Sequence, residues 1–232
     1  MFKQRSYQKE LLDEPDIKKD LLYQNLTELE FINKYLGGHS VSINGLKKIM
    51  ANKTQVYTIM DIGCGGGDSL KAIAEWAKKE DYNITLYGAD LKEDCINYAK
   101  INCTNYKINF RCEDFRNVFS EHIQINIIHA SLFCHHFTEI EIIEFIKLCS
   151  KNKATFIIND LERNPIAYYS IKILTKFFSK SALVKNDAPL SVLRGFTKPE
   201  WQSILQKSGI KNYTIKNRWA FRHLIIIYPN ES

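Results

Sequence analysis

The chain has 232 residues, of which 45% are hydrophobic, enough to bury one sizeable core in roughly one domain with room for a small appendage. Its formal charge of +6, from 32 basic and 26 acidic residues, is spread along the chain, which permits nucleic-acid binding without indicating it. The sequence has no apolar signal-peptide core and no apolar run near the roughly 18 residues that cross a bilayer, which predicts a protein without a membrane span. The six cysteines contain no CxxC pair, which predicts buried thiols and a cytoplasmic location.

Residues 1–50 are charged and amphipathic, and we expect them to form an N-terminal helical cap. Apolar side chains from Leu21 to Leu36 are spaced for one face of a helix, which the two following glycines end. Beyond residue 50, short apolar runs alternate with helical stretches, which predicts a parallel sheet covered by helices on both faces. The predicted strands are 56–62, 84–89, 108–112, 125–130 and 154–158, and the predicted helices are 68–79, 93–101 and 138–150.

A polar and aromatic interval, 161–196, follows the fifth strand, and we expect a helix within it over 167–178. Thr197 and Glu200 then form a capping box with a proline in the first turn, which opens a helix that Gly209 ends. Two further strands, 213–216 and 223–228, lie so close in sequence that they must pair antiparallel. The chain therefore offers seven strands.

The segment from Asp61 to Asp68, DIGCGGGD, follows the first predicted strand and leads directly into a helix. It resembles motif I of the class I S-adenosylmethionine-dependent methyltransferases, Asp/Glu-x-Gly-x-Gly-x-Gly. A nicotinamide fingerprint would instead need glycine at position 68. The resemblance implies a Rossmann-like α/β fold: a seven-stranded, mostly parallel sheet with an antiparallel last strand and helices on both faces. It divides the chain into an N-terminal helical cap (1–50) and a methyltransferase domain (51–232) with a lid insertion at about 161–196.

The glycine loop brings backbone close to a ligand, and the next helix points its N-terminal N–H groups at the same place. The resemblance puts Asp61 near the methionine end of S-adenosylmethionine. Asp90 ends the second strand, where an acidic side chain can bind both ribose hydroxyls. The resemblance implies that Asp114 and Phe115, after the third strand, contact adenine. Each aspartate alone also fits a strand end or a helix cap, but three at successive strand ends favour a cofactor site. The other expected cofactor contacts are Gly63, Cys64, Gly65, Gly67, Leu91 and Ser131.

The segment 130–137 follows the fourth strand, where class I enzymes place residues beside the transferable methyl group. It lacks the Asn/Asp-Pro-Pro-Tyr motif of adenine and glutamine methyltransferases, and Cys134 is preceded by phenylalanine rather than the proline of cytosine-C5 enzymes. The paired-glutamate loop of arginine methyltransferases and the metal-binding acid of catechol-type enzymes are also missing. We therefore expect no metal requirement.

The pair His135-His136 resembles small-molecule methyltransferases of the ubiquinone and menaquinone type. A phenol has a pKa of roughly 10 and histidine one near 6.5, so a well-placed imidazole can take the acceptor's proton as attack begins. His136 is our first candidate for this base and His135 the second, with a structural role as the alternative for each. Asp160, at the end of the fifth strand, is a candidate to orient a histidine or bind substrate, or simply to cap the next helix.

Tyr168, Tyr169 and Arg194 in the lid insertion are the candidate substrate contacts, because an aromatic lid favours an apolar or aromatic acceptor. An aromatic stripe on a helix also fits a core position. The segments 21–38, 165–169 and 190–196 resemble a bacterial branch of methyltransferases of polyketide, resorcinol or pigment pathways.

The sequence thus predicts methyl transfer to oxygen or carbon of a small, aromatic or quinone/polyketide-like molecule, as in secondary metabolism. The alternatives are an RNA methyltransferase and a non-catalytic S-adenosylmethionine-binding partner protein. The expected partner is a small-molecule acceptor, and monomer and homodimer both stay open.

Overall fold

A seven-stranded sheet in the order β3-β2-β1-β4-β5-β7-β6 forms the centre of the fold. The computed structural model describes residues 2–119 and 123–229. The strands are β1 (Val56–Ile62), β2 (Asn83–Asp90), β3 (Ile108–Cys112), β4 (Ile127–Ser131), β5 (Thr155–Leu161), β6 (Tyr213–Arg218) and β7 (Arg222–Ile227). The helices are α1 (Lys19–Tyr35), α2 (Gly38–Ile49), α3 (Asp68–Lys79), α4 (Glu93–Asn102), α5 (Glu139–Lys151), α6 (Pro165–Phe178), α7 (Ala182–Arg194) and α8 (Lys198–Lys207), with short 3-10 helices at Leu11–Asp13 and Cys134–His136.

Strands β1 to β5 are parallel, and β7 lies antiparallel between β5 and β6. The class I sheet predicted from the sequence, with its C-terminal hairpin, is confirmed. Parallel neighbours end at one edge, so the residues that follow β1, β2, β4 and β5 converge there.

Two apolar layers cover the sheet, which explains why its central strands read as continuous isoleucine-rich runs. Phe145 of α5 and Trp201 of α8 belong to the layer on one face. Leu46 of α2 and Leu70 and Ile73 of α3 belong to the layer on the other face. Among the helices in the described part of the chain, none has the length and apolarity required to cross a bilayer.

Helices α2 and α7 were not expected from the sequence. Each contains or directly follows a residue that usually ends a helix. Gly37 ends α1 with φ of 77°, but Gly38 begins α2 immediately. Pro189 lies inside α7, where its ring normally argues against a helix. The domain division at residue 50 stays a prediction, although α2, within that range, packs directly on the sheet.

We predict that Gly45→Leu destabilises the protein by about 2 kcal/mol through overpacking. A Cβ at Gly45 would lie 3.0 Å from Cγ2 of Ile157 and 3.1 Å from Cδ1 of Leu224, so α2 touches the sheet through this glycine. The measurement is urea unfolding of the two proteins. Asn44→Leu, on the exposed side of the same helix, is the control and should leave the free energy of unfolding almost unchanged. Equal effects of the two substitutions would contradict close packing of α2.

Candidate active site

A cavity of about 620 Å³ opens at the carboxyl edge of β1, β2 and β4, and we call it the glycine-loop cavity. Most of the predicted cofactor residues line it: Asp61, Gly63, Cys64, Gly65, Asp90, Leu91 and Ser131. The structure therefore gathers side chains from three strand ends around one space, as the convergence of parallel strands requires.

Gly65 has the geometry that a close ligand approach needs. Its φ is 50°, and a Cβ built there would meet only Leu26, at 3.9 Å, so the space beside its backbone is open. Its N–H donates to Oδ2 of Asp90 at 2.9 Å, which ties the loop to the end of β2. Gly67 differs, because a Cβ there would press on Cys103, Phe110 and Ala99. Gly67 therefore packs the start of α3 onto α4 and β3.

Asp61 is held by a residue that the sequence did not single out. Nδ1 of His129, on β4, lies 2.7 Å from Oδ1 of Asp61, and Nε2 of the same ring lies 2.8 Å from Oγ of Ser42 on α2. Burial raises the pKa of Asp61 above its ordinary value, and the bond and charge of His129 oppose that rise. The carboxylate at the end of β1 is thus fixed in orientation.

Asp68, the first residue of α3, places a second, partly buried carboxylate at the glycine-loop cavity. Its Oδ2 accepts from Nδ2 of Asn33 at 2.9 Å and lies 2.7 Å from Nε2 of His39. Burial alone would raise the pKa of Asp68, but the hydrogen bond and charge of His39 outweigh it and hold the pKa below the ordinary value. This cluster lies outside the sequence predictions, since Asn33 and His39 come from the N-terminal helices.

Asp114 and Phe115 line a smaller cavity of about 150 Å³ next to Asp90 and Leu91. Both oxygens of Asp114 accept from the Arg116 guanidinium, at 2.9 and 2.8 Å. The contact of Asp114 and Phe115 with adenine stays a prediction. The position of this cavity, next to the predicted ribose ligand Asp90, is consistent with it.

An aromatic cluster lies where the smaller cavity borders the glycine-loop cavity, and Phe133 and Phe137 line both. The ring of Phe133 lies directly against Gly63, leaving no room for a side chain there. Phe115 and Phe137 pack edge-on around Phe133.

The histidine pair is built from two carboxylate–imidazole contacts. Nδ1 of His135 lies 2.7 Å from Oδ1 of Asp160, and Oδ2 of Asp160 accepts the backbone N–H of His135 at 2.9 Å. Nδ1 of His136 lies 3.0 Å from Oδ1 of Asp13. Burial alone would raise the pKa of Asp160, but the charge and bond of His135 hold it below the ordinary value. Asp160 therefore orients His135, one of the roles that the sequence left open.

Glu10 approaches both imidazoles from the N-terminal segment. Its carboxylate oxygens lie 3.5 Å from Nε2 of His135 and 3.9 Å from Nε2 of His136. Burial raises the pKa of Glu10 to about 7, although the charge of His136 opposes the rise. The pKa of Asp13 moves the other way. Burial raises it, but the bond and charge of His136, the backbone N–H of Glu10 and the charge of Arg194 together outweigh burial and lower the pKa to about 2.

Three ligand atoms, one each from Glu10, His135 and His136, lie within 4.8 Å of one another, as a divalent cation would need. However, Nε of Arg194 lies 3.8 Å from Oε1 of Glu10, so this carboxylate already has a cation beside it. The absence of a metal requirement stays a prediction, and Arg194 favours it.

Arg194, a predicted substrate contact, lies against the backbone of the histidine pair. Its guanidinium donates to the backbone carbonyls of His135 and His136, at 3.2 and 2.7 Å, and is buried at the glycine-loop cavity. Arg194 therefore holds the histidine pair in place, and its contact with substrate stays a prediction.

A second cavity of about 500 Å³, the apolar cavity, lies between α1, α6, α7 and the β6–β7 turn. Of the lid residues, Ala167, Ser170 and Ile171 line it. The predicted substrate contacts Tyr168 and Tyr169 do not, because Tyr168 is turned into the packing of α6 against Phe2 and Tyr169 is exposed. The periodicity of α6 turns the neighbouring residues Ala167 and Ser170 toward the cavity instead. The aromatic residues alone did not indicate this orientation.

The two cavities meet. They share four lining residues, Leu12, Leu29, Leu132 and His136. Leu132 adopts φ of 52°, a conformation that a leucine rarely takes and that often marks a functional position.

Arg222 is a buried cation at the wall of the apolar cavity. Its Nη2 donates to Oδ1 of Asn33 at 2.9 Å and its Nη1 approaches Oδ1 of Asn159 at 3.5 Å. Burial lowers the pKa of Arg222 to about 10, so it keeps its charge at neutral pH.

Residues 53–209 match a protein family described as "Methyltransferase domain". The chain belongs to this methyltransferase family. S-adenosylmethionine, the cofactor predicted from the glycine loop, is therefore confirmed, and the open backbone at Gly65 and the acid at Asp90 fit it. No curated protein matches the chain.

Solved structures share the methyltransferase fold at low sequence identity. The plantazolicin methyltransferase BpumL, in complex with a triazolic desmethylPZN analog and SAH, is 19% identical with a TM-score of 0.66, and the match covers 94% of this chain and 93% of that one. Human N-acetylserotonin methyltransferase in complex with SAM is 15% identical with a TM-score of 0.61 over 92% of this chain and 57% of that one. The citrinin polyketide synthase CMeT domain is 14% identical with a TM-score of 0.57 over 78% of this chain. This methyltransferase spans about half, 48%, of that chain.

We predict that Gly65→Val reduces the affinity for S-adenosylhomocysteine roughly a hundredfold, or about 3 kcal/mol. The valine would fill the space beside the loop and strain a backbone that has positive φ. Calorimetric titration measures the loss. Gly209→Val is the control, since Gly209 has φ of 77° with nothing within 4 Å and lies at the end of α8, away from the cavity. Normal affinity in a folded Gly65→Val protein would contradict the site.

We predict that the wild-type protein loses stability relative to Glu10→Gln as the pH rises from about 5 to 8. Glu10 has a pKa of about 7 in the folded protein and 4.5 ordinarily, so the unfolded chain ionises first and unfolding is favoured through this window. The difference between the two free energies of unfolding should change by roughly 2 to 3 kcal/mol. Urea unfolding at both pH values measures it, and parallel pH profiles would show that Glu10 is not buried in this way.

Proposed function

We propose that the protein transfers the methyl group of S-adenosylmethionine to oxygen or carbon of a small, aromatic or quinone/polyketide-like acceptor held in the apolar cavity. The observation that carries this proposal is the junction of the two cavities at His136. A donor in one cavity and an acceptor in the other would meet beside an imidazole.

Methyl transfer is an in-line displacement at carbon, so the protein mainly has to align the two molecules and exclude water. S-adenosylmethionine supplies the electrophilic methyl group. His136 is our candidate base because Asp13 binds its Nδ1, which leaves Nε2 with a lone pair to accept the acceptor's proton. Glu10 lies 3.9 Å from Nε2, too far for a hydrogen bond, so it does not occupy that lone pair.

His135 is the second candidate base, and its surroundings favour a positioning role. It is 2% exposed, and Asp160 binds both its ring and its backbone. Together with Arg194 on the backbone carbonyls, these contacts hold the peptide that carries His136.

The lining of the apolar cavity supports the acceptor class. Leucine, isoleucine, valine and alanine side chains make up much of its wall, which suits an apolar ring or chain. Arg222 adds a positive charge that would favour an acceptor oxygen as it loses its proton. A structural neighbour in a citrinin polyketide synthase and one that methylates N-acetylserotonin support small acceptors of this kind.

The remaining expectations stay part of the proposal. An apolar cavity of this size gives no support to the RNA methyltransferase alternative, and the His136 junction favours catalysis over a binding-only role. The free cysteines support a cytoplasmic location. A monomer and a homodimer both fit the site, since each of its residues comes from one chain.

We predict that His136→Gln lowers turnover roughly 10²- to 10⁴-fold, the contribution of a general base, while affinity for S-adenosylhomocysteine stays nearly unchanged. The assay screens phenolic and quinone acceptors with S-adenosylmethionine and detects the added methyl group by mass spectrometry, with and without EDTA. Asp13→Asn is the graded comparison, expected to cost roughly 10- to 100-fold because it removes the charge beside Nδ1 but keeps an oxygen that can accept from it. Unchanged turnover in His136→Gln would remove its role as base, and loss on chelation would contradict metal independence.

A further inference from the structure

Helix α6 presents an apolar face to solvent. Ile166, Tyr169, Ile173 and Phe177 recur at spacings of three and four residues, so they form one stripe along the helix. All four are exposed, with Phe177 at 72%, and Phe178 beside them is 81% exposed. Large aromatic side chains clustered in this way on a surface mark an interaction site.

Two further elements bring exposed aromatic side chains to the same place. Glu28 of α1 accepts the backbone N–H groups of Lys180 and Ser181, each at 3.0 Å, which fixes the end of α6 beside α1. Phe31, one turn further along α1, is 61% exposed, and Trp219 in the β6–β7 turn is 75% exposed.

Helices α1 and α6 and the β6–β7 turn also border the apolar cavity. Leu174 and Trp219 both line the cavity and are themselves exposed, so the opening and the exposed residues form one continuous surface. Trp219 packs over Gly37 at the end of α1, which joins the turn to this helix. We call this surface the apolar rim, formed by Phe31, Ile173, Leu174, Phe177, Phe178 and Trp219.

Lysines predominate around the apolar rim, although Glu28 carries a negative charge at the end of α6. Lys172 and Lys176 on α6, Lys180 just after it and Lys34 on α1 are all exposed. The segment Pro165–Phe178 contains no aspartate or glutamate. An amphipathic helix of this kind, with aromatic and aliphatic residues beside lysines, suits the interface of an anionic bilayer.

We propose that the apolar rim docks on the surface of an anionic lipid bilayer, with its aromatic side chains in the acyl–headgroup boundary and its lysines at lipid phosphates. The evidence for docking comes from the exposed residues alone and does not depend on the proposed function. Its use, entry of an apolar acceptor from the lipid into the apolar cavity, rests on the proposed function.

A second copy of the chain is the other occupant to consider. A two-fold interface through α6 would place the same lysines of both copies near each other, because such an interface uses the same patch twice. With no acid on α6 to pair with them, like charges would oppose that contact. A phosphate-rich surface instead neutralises them.

The test is co-sedimentation of the full chain with vesicles of phosphatidylcholine alone and of equal parts phosphatidylcholine and phosphatidylglycerol. We expect binding to the anionic vesicles, weaker binding to the neutral ones, and a loss of roughly tenfold or more in partitioning for Phe177→Ser/Phe178→Ser. Lys172→Glu/Lys176→Glu should remove the preference for anionic lipid. Ile101→Ser is the matched control, because Ile101 is 67% exposed on α4 and is not one of the residues that form the apolar rim.

Failure of the wild type to bind anionic vesicles, or equal loss in Ile101→Ser, would overturn the proposal. A dimer in sedimentation velocity that Phe177→Ser/Phe178→Ser dissociates would overturn it in favour of a second copy. S-adenosylhomocysteine titration of each variant verifies folding. Because vesicle binding does not depend on turnover, the proposed function can fail while docking holds, and the reverse.

Discussion

Carboxylates buried at the carboxyl edge of the sheet need donors, because an unpaired buried charge costs several kcal/mol. Asp61 of β1 and Asp160 of β5 both lie at this edge. Each carboxylate lies 2.7 Å from an imidazole nitrogen, that of His129 and that of His135 respectively. β4, the strand between them, supplies His129 directly and His135 through the turn that follows it. The order of the strands thus determines which histidine contacts which aspartate. The contact between Asp160 and His135 in turn fixes the position of the histidine pair.

The site divides into two chemically different halves along the same edge. Around the glycine loop, buried carboxylates and amides create a polar space suited to a zwitterionic cofactor. Beyond Leu132 and His136, helices α1, α6 and α7 close an apolar space. The N-terminal segment joins the halves, since Glu10 and Asp13 reach the histidines there and Arg5 binds the carbonyls of His135 and Phe137.

The predicted cofactor residues that line the glycine-loop cavity follow local signals in the sequence. Glycines at 63 and 65 and the acid at 90 occur at fixed offsets from strands, and the strands themselves were found within a few residues. The donors to the buried acids were missed, because Ser42 meets His129 across 87 positions and no local pattern marks such a contact. Tyr168 and Tyr169 were chosen for their chemistry, but the helix period turned Ala167 and Ser170 toward the cavity instead.

Strand β7 is the last strand of the chain, yet it lies inside the sheet between β5 and β6. Its first residue, Arg222, binds Asn33 across 189 positions, and Arg5 binds the carbonyl of Arg194 across another 189. Contacts of this separation form late in folding, because closing long loops is entropically costly. On the ribosome, a growing chain would carry the complete glycine loop long before the final strand emerges. The walls of the apolar cavity would then close only after β7 has emerged and can pair with β5.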